Sequence, residues 1–363
     1  MDYNVVAPSE LRPDEVAAWH HLQTEHPEYA NPFLGPEFAQ AVCAVRPTVQ
    51  VAVAEEGGEP VAFLPFERGP LGIGRAVGWG ISDCQAVVQR PGAVREAEPL
   101  LRACGLSVWE FDNLVSGAQP FSGHSHSFHP SPVMDVGDGF AAYQERVSER
   151  SHRFVRDMAK NTRRLTREFG EVRFVFDETD VSRLRTLMQW KSAQYRRTGR
   201  RDRFAQAWIT DLLMRLHATR TGPLTGLLSV LYAGDQPIAA HFGMRSEKVL
   251  ACWFPAYDLR FRRYSPGLLL HLRMAEHAAA AGLDHLNLGR GASPHKETLK
   301  TRDLTVAEGW AAVPSAGAVL HWLSRAPVQH AYDAVLERPR LRKAARRTLN
   351  GIGLLRTRRT TSD

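Results

Sequence analysis

The stretch WFPAYDLRFRRYSPGLLLHLRMAEHAAAAGLDHLNLGRGASPHK, residues 253–296, carries the strongest pattern in the chain. Its order predicts the end of a strand, a turn with arginines and glycine, a long helix, a second strand and a polar loop. The turn RRYSPG lies where the helix begins, and a helix N-terminus presents free backbone N–H groups and partial positive charge. The two arginines of the turn add further hydrogen-bond donors for an anion bound at this helix N-terminus. We therefore predict an anion site here, of the kind that a phosphate-bearing cofactor uses.

Length and composition indicate a soluble globular protein. The chain has 363 residues, of which 44% are hydrophobic and 23% charged, and this length predicts two domains. No apolar run is long enough to predict a membrane span, and the N-terminus lacks the basic and apolar parts of a secretory signal. The four cysteines are too far apart in sequence for a metal clip or a redox pair. Together these features predict a cytoplasmic protein with reduced cysteines.

The positive charge of the chain is concentrated near its C-terminus. Of the 46 Lys and Arg residues, nine lie in 338–359, so the rest of the chain carries 37 basic against 39 acidic residues. A basic tail on a nearly neutral body can contact an anionic membrane surface, nucleic acid or an acidic partner. A solvated helix or a frayed end explains the same pattern equally well.

The first half of the chain predicts two helices followed by strands. Apolar periodicity and turn residues place these elements as follows: helices at 13–25 and 36–45, a hairpin of 48–55 with 60–66, a glycine-rich strand and the polar insert ISDCQ within 73–89, a helix at 92–104 and a strand at 106–112. Residues 116–132 are rich in Gly, Ser, His and Pro, and we expect a surface loop there.

The second half repeats this order after a long basic helix predicted at 139–168. Its predicted elements are a strand at 171–176, helices at 180–196 and 203–220, a hairpin of 226–233 with 236–244, a strand at 248–254, a helix at 266–281, strands at 284–288 and 304–313, and a helix at 315–336. The repetition predicts an α/β (α+β) fold of two tandem domains, each a mixed sheet flanked by helices.

We expect the domain limits at 1–138 for the N-terminal domain, 139–169 for the basic connector, 170–313 for the C-terminal domain, and 314–363 for the terminal helix and tail.

Several phrases in the second half occur together in a consistent order. They are KNTRRL at 160–165, LMQWKSAQYRRTG at 187–199, PIAAHFG at 237–243, AYDLRFRRYSPGLLL at 256–270, and DHLNLGRG followed by HK within 284–296. In these features the half resembles the GNAT acyltransferase superfamily, and more narrowly the CelD-like group associated with cellulose biosynthesis, which is related to the double-domain FemABX transferases. SDCQ at 82–85 resembles a first-domain feature of the same group. The resemblance implies tandem GNAT-like domains and an acyltransferase that uses acetyl-CoA or another acyl-CoA.

The resemblance also implies that the turn after the fourth strand binds the cofactor pyrophosphate. Carried over, the cofactor-binding residues are Trp253, Phe254, Arg262, Arg263, Tyr264, Ser265, Pro266, Gly267 and Leu268. Gly267 permits close approach of the backbone, Pro266 suits a first helical turn, and Ser265 can be the N-cap. An ordinary capped helix with surface arginines is the alternative interpretation.

Transfer of an acyl group from a thioester to an amine needs a base for the amine and a proton for the departing thiolate. A histidine such as His241 can remove the amine proton near neutral pH, and a hydrogen-bonded role within the sheet is equally compatible with its position. Asp258 could orient the amine, act as the base or only cap the turn. Tyr264, like Tyr257, is a candidate for protonating the thiolate, against a simple packing role.

Four residues are predicted to line the acceptor site. Lys191 and Tyr195 lie four residues apart on one helical face, Asp83 would reach the site from the first domain, and Lys296 lies in the polar loop. Alternatively, Lys191 and Tyr195 lie on a solvated helix face. The alternative for Asp83 is an ordinary turn residue.

The polar loop departs from the group that the chain resembles. That group often has an acidic residue after the GxG and a Tyr-Lys pair, whereas here Ala292 and His295–Lys296 occupy those positions. The acceptor is therefore expected to differ from the usual one.

No metal site is predicted. His124, His126 and His129 show a superficial metal-ligand spacing, but they lie in a Ser/Pro-rich segment without acidic or Cys companions.

The leading interpretation is an acyl-CoA-dependent N-acyltransferase acting on a small-molecule or sugar amine. One alternative is aminoacyl-tRNA-dependent transfer as in the FemABX relatives, for which the basic 150–167 helix and the tail offer nucleic-acid contacts. Another is a non-enzymatic module that binds a membrane or nucleic acid through its tail. The RRYSPG turn and the nearly neutral body favour the first.

Overall fold

The computed structural model describes residues 1–324, and the basic tail and most of the helix predicted at 315–336 lie outside this range. The α-helices are α1 Pro13–Glu25, α2 Pro36–Cys43, α3 Ala97–Ala103, α4 Phe140–Arg150, α5 His152–Phe169, α6 Val181–Arg197, α7 Ala207–Ala218, α8 Pro266–Ala280 and α9 Pro294–Leu299. Residues 316–324 are also helical. Within residues 1–324, no helix combines the length and the apolar character needed to cross a bilayer.

The strands alternate with these helices. They are β1 Asp2–Val6, β2 Val49–Glu56, β3 Glu59–Arg68, β4 Ile73–Ala76, β5 Val88–Gln89, β6 Val108–Val115, β7 Ser125–Asp135, β8 Val172–Val175, β9 Thr225–Ala233, β10 Gln236–Arg245, β11 Val249–Tyr257, β12 His285–Asn287 and β13 Arg302–Ala312.

These strands form one mixed sheet. Their order is β1-β2-β3-β4-β6-β13-β7-β12-β11-β10-β9-β8, with β5 paired to β3. The pairs β4–β6 and β11–β12 are parallel, and the other neighbours are antiparallel. A mixed sheet flanked by helices on both faces confirms the expected fold class.

The core has one layer shared by both halves and two separate layers on the opposite face. Side chains of α1, α2, α6 and α7 pack together over the strands of both halves. On the other face, α4, α5 and α8 cover the second half, whereas α3 covers the first. Along β2, Val51 and Val53 enter the shared layer and Ala52 enters the opposite one. The shared layer therefore holds the two halves in a fixed relation.

Strands β7 and β13 join the halves in the middle of the sheet. β13 pairs with β6 on one side and with β7 on the other, and β7 continues the sheet into β12 of the second half. The limits expected at 138 and 170 remain predictions, since the sheet runs continuously across both halves.

The surface loop predicted at 116–132 is wrong over its second part, because Ser125–Asp135 is strand β7. Pro130 and Pro132 lack a backbone N–H, which normally excludes a central strand. Their carbonyl oxygens still accept from the N–H groups of Gly291 (2.8 Å) and Leu288 (2.9 Å). The turn-like composition therefore concealed an alternating strand.

The single helix predicted at 139–168 is also wrong, since it is two helices broken at Ser151. The φ of Ser151 is −158°, and its side-chain oxygen accepts from the N–H of Phe154 at the start of α5. A serine that caps a new helix in this way competes with continuation of the old one.

The hairpin predicted about Gly234 is confirmed, and Gly234 has a φ of +57°. A Cβ at Gly234 would also lie 2.5 Å from the carbonyl oxygen of Phe169, whereas a Cβ at Gly57 (φ +63°) would meet nothing within 4 Å. We expect Gly57→Ala to cost about 1–2 kcal/mol, the penalty of a left-handed residue with a side chain. Gly234→Ala should cost roughly 1–3 kcal/mol more, because the backbone must also move.

Chemical denaturation of the two variants measures both costs. Equal losses of unfolding free energy in Gly57→Ala and Gly234→Ala would show that the Phe169 carbonyl can move at no cost. That result would refute the steric part of this prediction.

Candidate functional site

The parallel strands β11 and β12 separate soon after they meet. Their pairing ends at Ala251 opposite Asn287, whereas β11 continues to Tyr257. Beyond Asn287 the chain turns to β7, where the N–H of Leu288 donates to the carbonyl of Pro132. The β11 edge that faces this opening therefore has no partner strand beyond Ala251 among the described residues.

A β-bulge lies in β11 at the edge of this opening. The register shifts between Phe242 opposite Phe254 and Gly243 opposite Cys252, which leaves Trp253 without a partner on β10. Bulges re-aim the backbone and side chains of a strand. The segment of β11 beside the opening thus departs from regular pairing.

His241 accepts the backbone N–H of this bulge. Its Nε2 lies 3.1 Å from the N of Trp253, and its buried Nδ1 has no hydrogen-bond partner among the described residues. Burial, followed by the nearby His271 and Lys191, holds the pKa of His241 well below its usual value. Because Nε2 already accepts a hydrogen bond, His241 could take a proton from an amine there only after releasing Trp253.

The side chains of Trp253 and Phe254 pack in the shared core rather than along the opening. The Nε1 of Trp253 donates to the carbonyl of Ile81 at 2.6 Å, which ties β11 to the first half. Phe254 packs against Phe204, with ring centroids 5.1 Å apart. Contact with a cofactor at these two positions would therefore come from the backbone.

The turn RRYSPG leads into α8 through a left-handed residue. Ser265 has φ +53° and occupies the N-cap position, but its side chain makes no capping hydrogen bond. Pro266 is the first helical residue, as predicted. A Cβ at Gly267 would meet only Cδ1 of Tyr257, at 3.7 Å. Packing therefore does not require glycine there, and the space above it is open to a ligand.

The two arginines of the turn have different environments. Arg263 donates to the Glu168 carboxylate on α5 at 2.7 Å and also contacts the Tyr264 hydroxyl. Arg262 is exposed and makes no ion pair among the described residues. Tyr264 is fully buried, with its hydroxyl hydrogen-bonded to Glu168. The phenol of Tyr264 is thus engaged with α5.

Asp258 caps the short helical turn that precedes α8. Its carboxylate accepts from the backbone N–H of Arg260 at 2.9 Å and pairs with the Arg260 guanidinium at 2.6 Å. These bonds, the side-chain one first, lower the pKa of Asp258. Of the three roles that the sequence allows for Asp258, the structure shows the capping one.

A basic groove lies between the start of α8 and α5. This cavity of about 420 Å³ is lined by Ser265 and Leu268 from α8 and by Lys160, Asn161 and Arg164 from α5, among others. From the sequence, this helix is predicted to be a connector or a nucleic-acid contact, and its residues are not included in the cofactor site. The KNTRRL phrase, with cations at helical spacing, was the signal that could have identified these residues.

Asp83 from the first half lies directly against the polar loop of the second half. A Cβ at Gly289, which has φ +75°, would be 2.5 Å from Oδ2 of Asp83. The Nζ of Lys296 donates to the carbonyls of Gly289 (2.8 Å) and Arg290 (3.0 Å). The loop thus brings the predicted residues Asp83 and Lys296 together.

Arg290 anchors the same loop to the first half. Its guanidinium donates to the carbonyl of Asp112 at 2.6 Å and to the carboxylate of Glu308 at 2.5 Å. The side chain of Asn287 accepts from the N–H of Gly289 at 2.8 Å. These bonds fix the loop on which Asp83 and Lys296 meet.

Lys191 and Tyr195 line the other side of the opening from α6. The Nζ of Lys191 donates to the carbonyl of Pro255 on β11 at 2.9 Å and lies 5.4 Å from the centroid of the Tyr195 ring. The predicted face of α6 is therefore directed at the free part of β11.

The ionisable groups around the opening have shifted pKa values. Burial raises the pKa of Asp83 to about 6, an effect that the positive charge of Lys296 opposes. Burial, with the charges of Arg200 and Lys296, lowers the pKa of Lys191 to about 8. Burial also lowers the pKa of Lys296. A carboxyl group and an ammonium group that titrate on either side of neutral pH can act as base and acid.

Of the three histidines predicted not to bind metal, His126 and His129 lie on β7, and His124 lies in the short helical turn that precedes it. His126 packs against Trp310, with ring centroids 4.0 Å apart, and His129 lies 3.6 Å from the Glu308 carboxylate. Within residues 1–324, no group of three or more His, Cys, Asp or Glu is placed to hold a metal ion.

One family model matches the second half of the chain. Residues 152–297 match the model of a family described as an acetyltransferase (GNAT) domain. This range contains α5, the opening between β11 and β12, and the RRYSPG turn. No curated protein matches the chain significantly.

Solved structures share the fold over most of the chain. FemX has a TM-score of 0.56 at 9% identity, covering 85% of this chain and 96% of its own. The C-terminal domain of a proposed lysylphosphatidylglycerol synthetase from Agrobacterium fabrum has a TM-score of 0.52 at 14% identity, covering 85% and 95%. A tandem GNAT protein from the clavulanic acid biosynthesis pathway also matches, at 12% identity over 86% of this chain and 99% of its own, but its TM-score of 0.48 is too low to establish a shared fold.

The environment of His241 predicts that it stays neutral from pH 5 to 8 with its proton on Nδ1, because Nε2 accepts the Trp253 N–H. Ring ¹⁵N chemical shifts across this pH range measure both the charge and the tautomer. His20 is the positive control, since hydrogen bonding to Glu37 raises its pKa and its ring should therefore be charged at pH 5. A His241 ring that becomes charged near pH 7 would contradict the structure and restore its role as base.

Proposed function

We propose that this protein is an acyl-CoA-dependent N-acyltransferase that moves an acyl group, most simply acetyl, to an amine of a small molecule or sugar. The observation that carries the proposal is the opening between β11 and β12 beside the start of α8, within the residues that match the GNAT family model. Backbone groups along the free edge of β11 need hydrogen-bond partners. The amide-bearing arm of an acyl-CoA is an extended chain that can supply them.

The phosphates of the acyl-CoA would lie at the start of α8. The open space above Gly267 and the N-terminal end of the helix favour an anion there. Lys160 and Arg164 face the same groove from α5, and Arg262 is free to turn toward it. We therefore extend the predicted cofactor site from the turn to α5.

Asp83 is our candidate for the base that accepts the amine proton. It lies at the junction of the halves against Gly289, and a pKa of about 6 leaves it ionised at neutral pH. As the amine nitrogen bonds to the acyl carbon and the carbon–sulfur bond breaks, the proton passes from the amine to Asp83. His241, Asp258 and Tyr264 remain predictions for this chemistry, but each has its functional group in a hydrogen bond within the protein.

Lys191 is our candidate for the group that protonates the departing thiolate. Its Nζ lies on the carbonyl of Pro255, beside the free part of β11, and its pKa of about 8 is close to that of a thiol. Lys296 lies close enough for its charge to lower the pKa of Lys191, so it adds to the positive charge that would stabilise the departing thiolate.

Two narrower assignments, the CelD-like group and an aminoacyl-tRNA donor, are not part of this proposal. The CelD-like group is narrower than the family model that matches, so it remains a prediction from the sequence phrases. The similarity to FemX is a similarity of fold at 9% identity. Transfer from aminoacyl-tRNA is therefore not better supported than transfer from acyl-CoA.

Lys160→Ala should weaken acyl-CoA binding about tenfold, because it removes a charge-assisted hydrogen bond to phosphate worth on the order of 1.4 kcal/mol. Arg156→Ala is the matched control, since Arg156 is exposed on the same helix but does not line the groove. Calorimetric titration with acetyl-CoA measures the affinity of each variant. Equal affinities for the two variants would exclude the groove as the phosphate site.

Asp83→Asn should lower kcat by about 10²–10⁴-fold, the usual contribution of a general base, with acyl-CoA affinity retained. In the wild type, activity should rise as pH increases through about 6, where Asp83 ionises, and fall above about 8, where Lys191 loses its charge. The pH profile of kcat/KM at saturating acyl-CoA measures both limbs.

Asp112→Asn is the control for the lower limb. The negative charge of Asp112 raises the pKa of Asp83, so removing it should move that limb to lower pH and leave the base in place. A lower limb that persists in Asp83→Asn would assign it to another group and reject Asp83 as the base.

A further inference from the structure

A cavity between the two halves, distinct from the groove between α5 and α8, is lined mainly by basic residues. Its volume is about 660 Å³, and five arginines line it: Arg46 and Arg75 from the first half, and Arg200, Arg201 and Arg203 from the second. Glu67 is the one carboxylate among its lining residues in the described part of the chain. The cavity therefore presents a large excess of positive charge in a confined space.

The two arginines of the first half are held by buried carboxylates. Arg46 pairs with Glu67 at 2.5 Å, and Arg75 pairs with Glu110 at 2.7 Å. The Nε of Arg46 is buried without a hydrogen-bond partner among the described residues. These ion pairs fix the direction of the two guanidinium groups.

The three arginines of the second half have no ion pair within residues 1–324. The neighbouring carboxylate, Asp202, is turned away from them, since it contacts Ser192 and Arg196 on α6. The loop that carries them therefore directs its single acid into the protein and its cations toward the cavity.

Arg203 of the second half packs against Gly80 of the first half. A Cβ at Gly80 would lie 2.9 Å from one terminal nitrogen of the Arg203 guanidinium. The guanidinium thus lies against the backbone of the first half, and its charge reaches Asp83, where it lowers the pKa. Tyr195 lines the same cavity and also contacts Lys191. The basic cavity therefore adjoins the proposed reaction centre.

Aromatic side chains complete the wall. Trp208 lies under the guanidinium of Arg46 at 4.8 Å, and Trp79 lies under that of Arg75 at 5.5 Å. Such stacking keeps an arginine extended and leaves its in-plane donors free.

The larger cavity between the halves has the opposite character. It has a volume of about 860 Å³ and includes Asp83. Its charged lining residues are mostly acidic, namely Glu28, Glu37, Asp83, Asp135, Glu247 and Asp284, against Lys248 and Arg302. An anionic ligand is therefore directed to the arginine-lined cavity.

We propose that the arginine-lined cavity binds the phosphoryl group of the amine acceptor, so that the acceptor is a phosphorylated small molecule. This inference rests on the proposed function, because it takes Asp83 and Lys191 as the reaction centre. A phosphate ester carries between one and two negative charges and several strong acceptor oxygens, which match several guanidinium groups better than one carboxylate does. A volume of about 660 Å³ is that of a small-molecule site.

The test uses inorganic pyrophosphate as the probe and the full-length protein saturated with CoA, so that the donor phosphate site is filled. Calorimetry should show pyrophosphate binding to the CoA-loaded wild type. The double variant Arg200→Ser, Arg201→Ser should bind it at least about tenfold more weakly, as expected for loss of charge-assisted hydrogen bonds. Both side chains are exposed, so thermal melts should show that this variant folds.

The control is the double variant Arg185→Ser, Arg215→Ser, which removes the same number of positive charges from exposed positions on α6 and α7 outside the cavity. It should keep pyrophosphate affinity within about twofold, as expected of an exposed charge remote from the ligand. Equal weakening by the control would show a nonspecific charge effect and overturn the proposal.

Other outcomes also overturn the proposal. They are no pyrophosphate binding to the wild type, binding that CoA abolishes, and an RNA oligonucleotide that binds through these arginines while pyrophosphate does not. A separate titration with acetyl-CoA tests the proposed function by itself. If acetyl-CoA fails to bind while pyrophosphate binding still depends on Arg200 and Arg201, the acyltransferase assignment fails and the anion site stands.

Discussion

The insertion of β13 between β6 and β7 is the constraint on which the rest of the structure depends. A strand from the end of the described chain pairs with a strand of the first half on one edge and with β7 on the other. The two halves therefore share one hydrogen-bonded sheet and one core layer, and their relative position is set by backbone pairing. Backbone groups buried in a sheet are costly to leave unpaired, so this relation is rigid.

The proposed reaction centre exists only because of that relation. Asp83 comes from the first half, Lys191 and Lys296 come from the second, and Arg290 ties the loop of the second half to Asp112 of the first. Burial places these charges in a medium of low polarity, where each perturbs its neighbours strongly. The shifted pKa of Asp83 is thus a property of the junction between the halves, since the cations that act on it, Lys296, Arg203 and Arg290, all belong to the second half.

Local sequence pattern predicted most elements but misjudged two connections. The predicted helix at 13–25 and the hairpin about Gly234 were confirmed, because apolar periodicity and turn residues act over a few neighbours. β7 was missed because prolines and serines are typical of loops, although the proline carbonyls still accept bonds from Leu288 and Gly291. The break at Ser151 was missed because the basic pattern continues on both sides of it.

The sequence by itself determined the mixed α/β class, and it named the turn before α8 as a candidate anion site and Asp83, Lys191 and Lys296 as candidate residues of the acceptor site. Only the tertiary structure decided that His241 accepts the N–H of Trp253, that Tyr264 faces Glu168, and that arginines of both halves line one cavity. Periodicity and capping depend on neighbouring residues and can be read locally. The pairing of β13 with β6 and β7 depends on contacts between distant segments, whose closure no local pattern encodes.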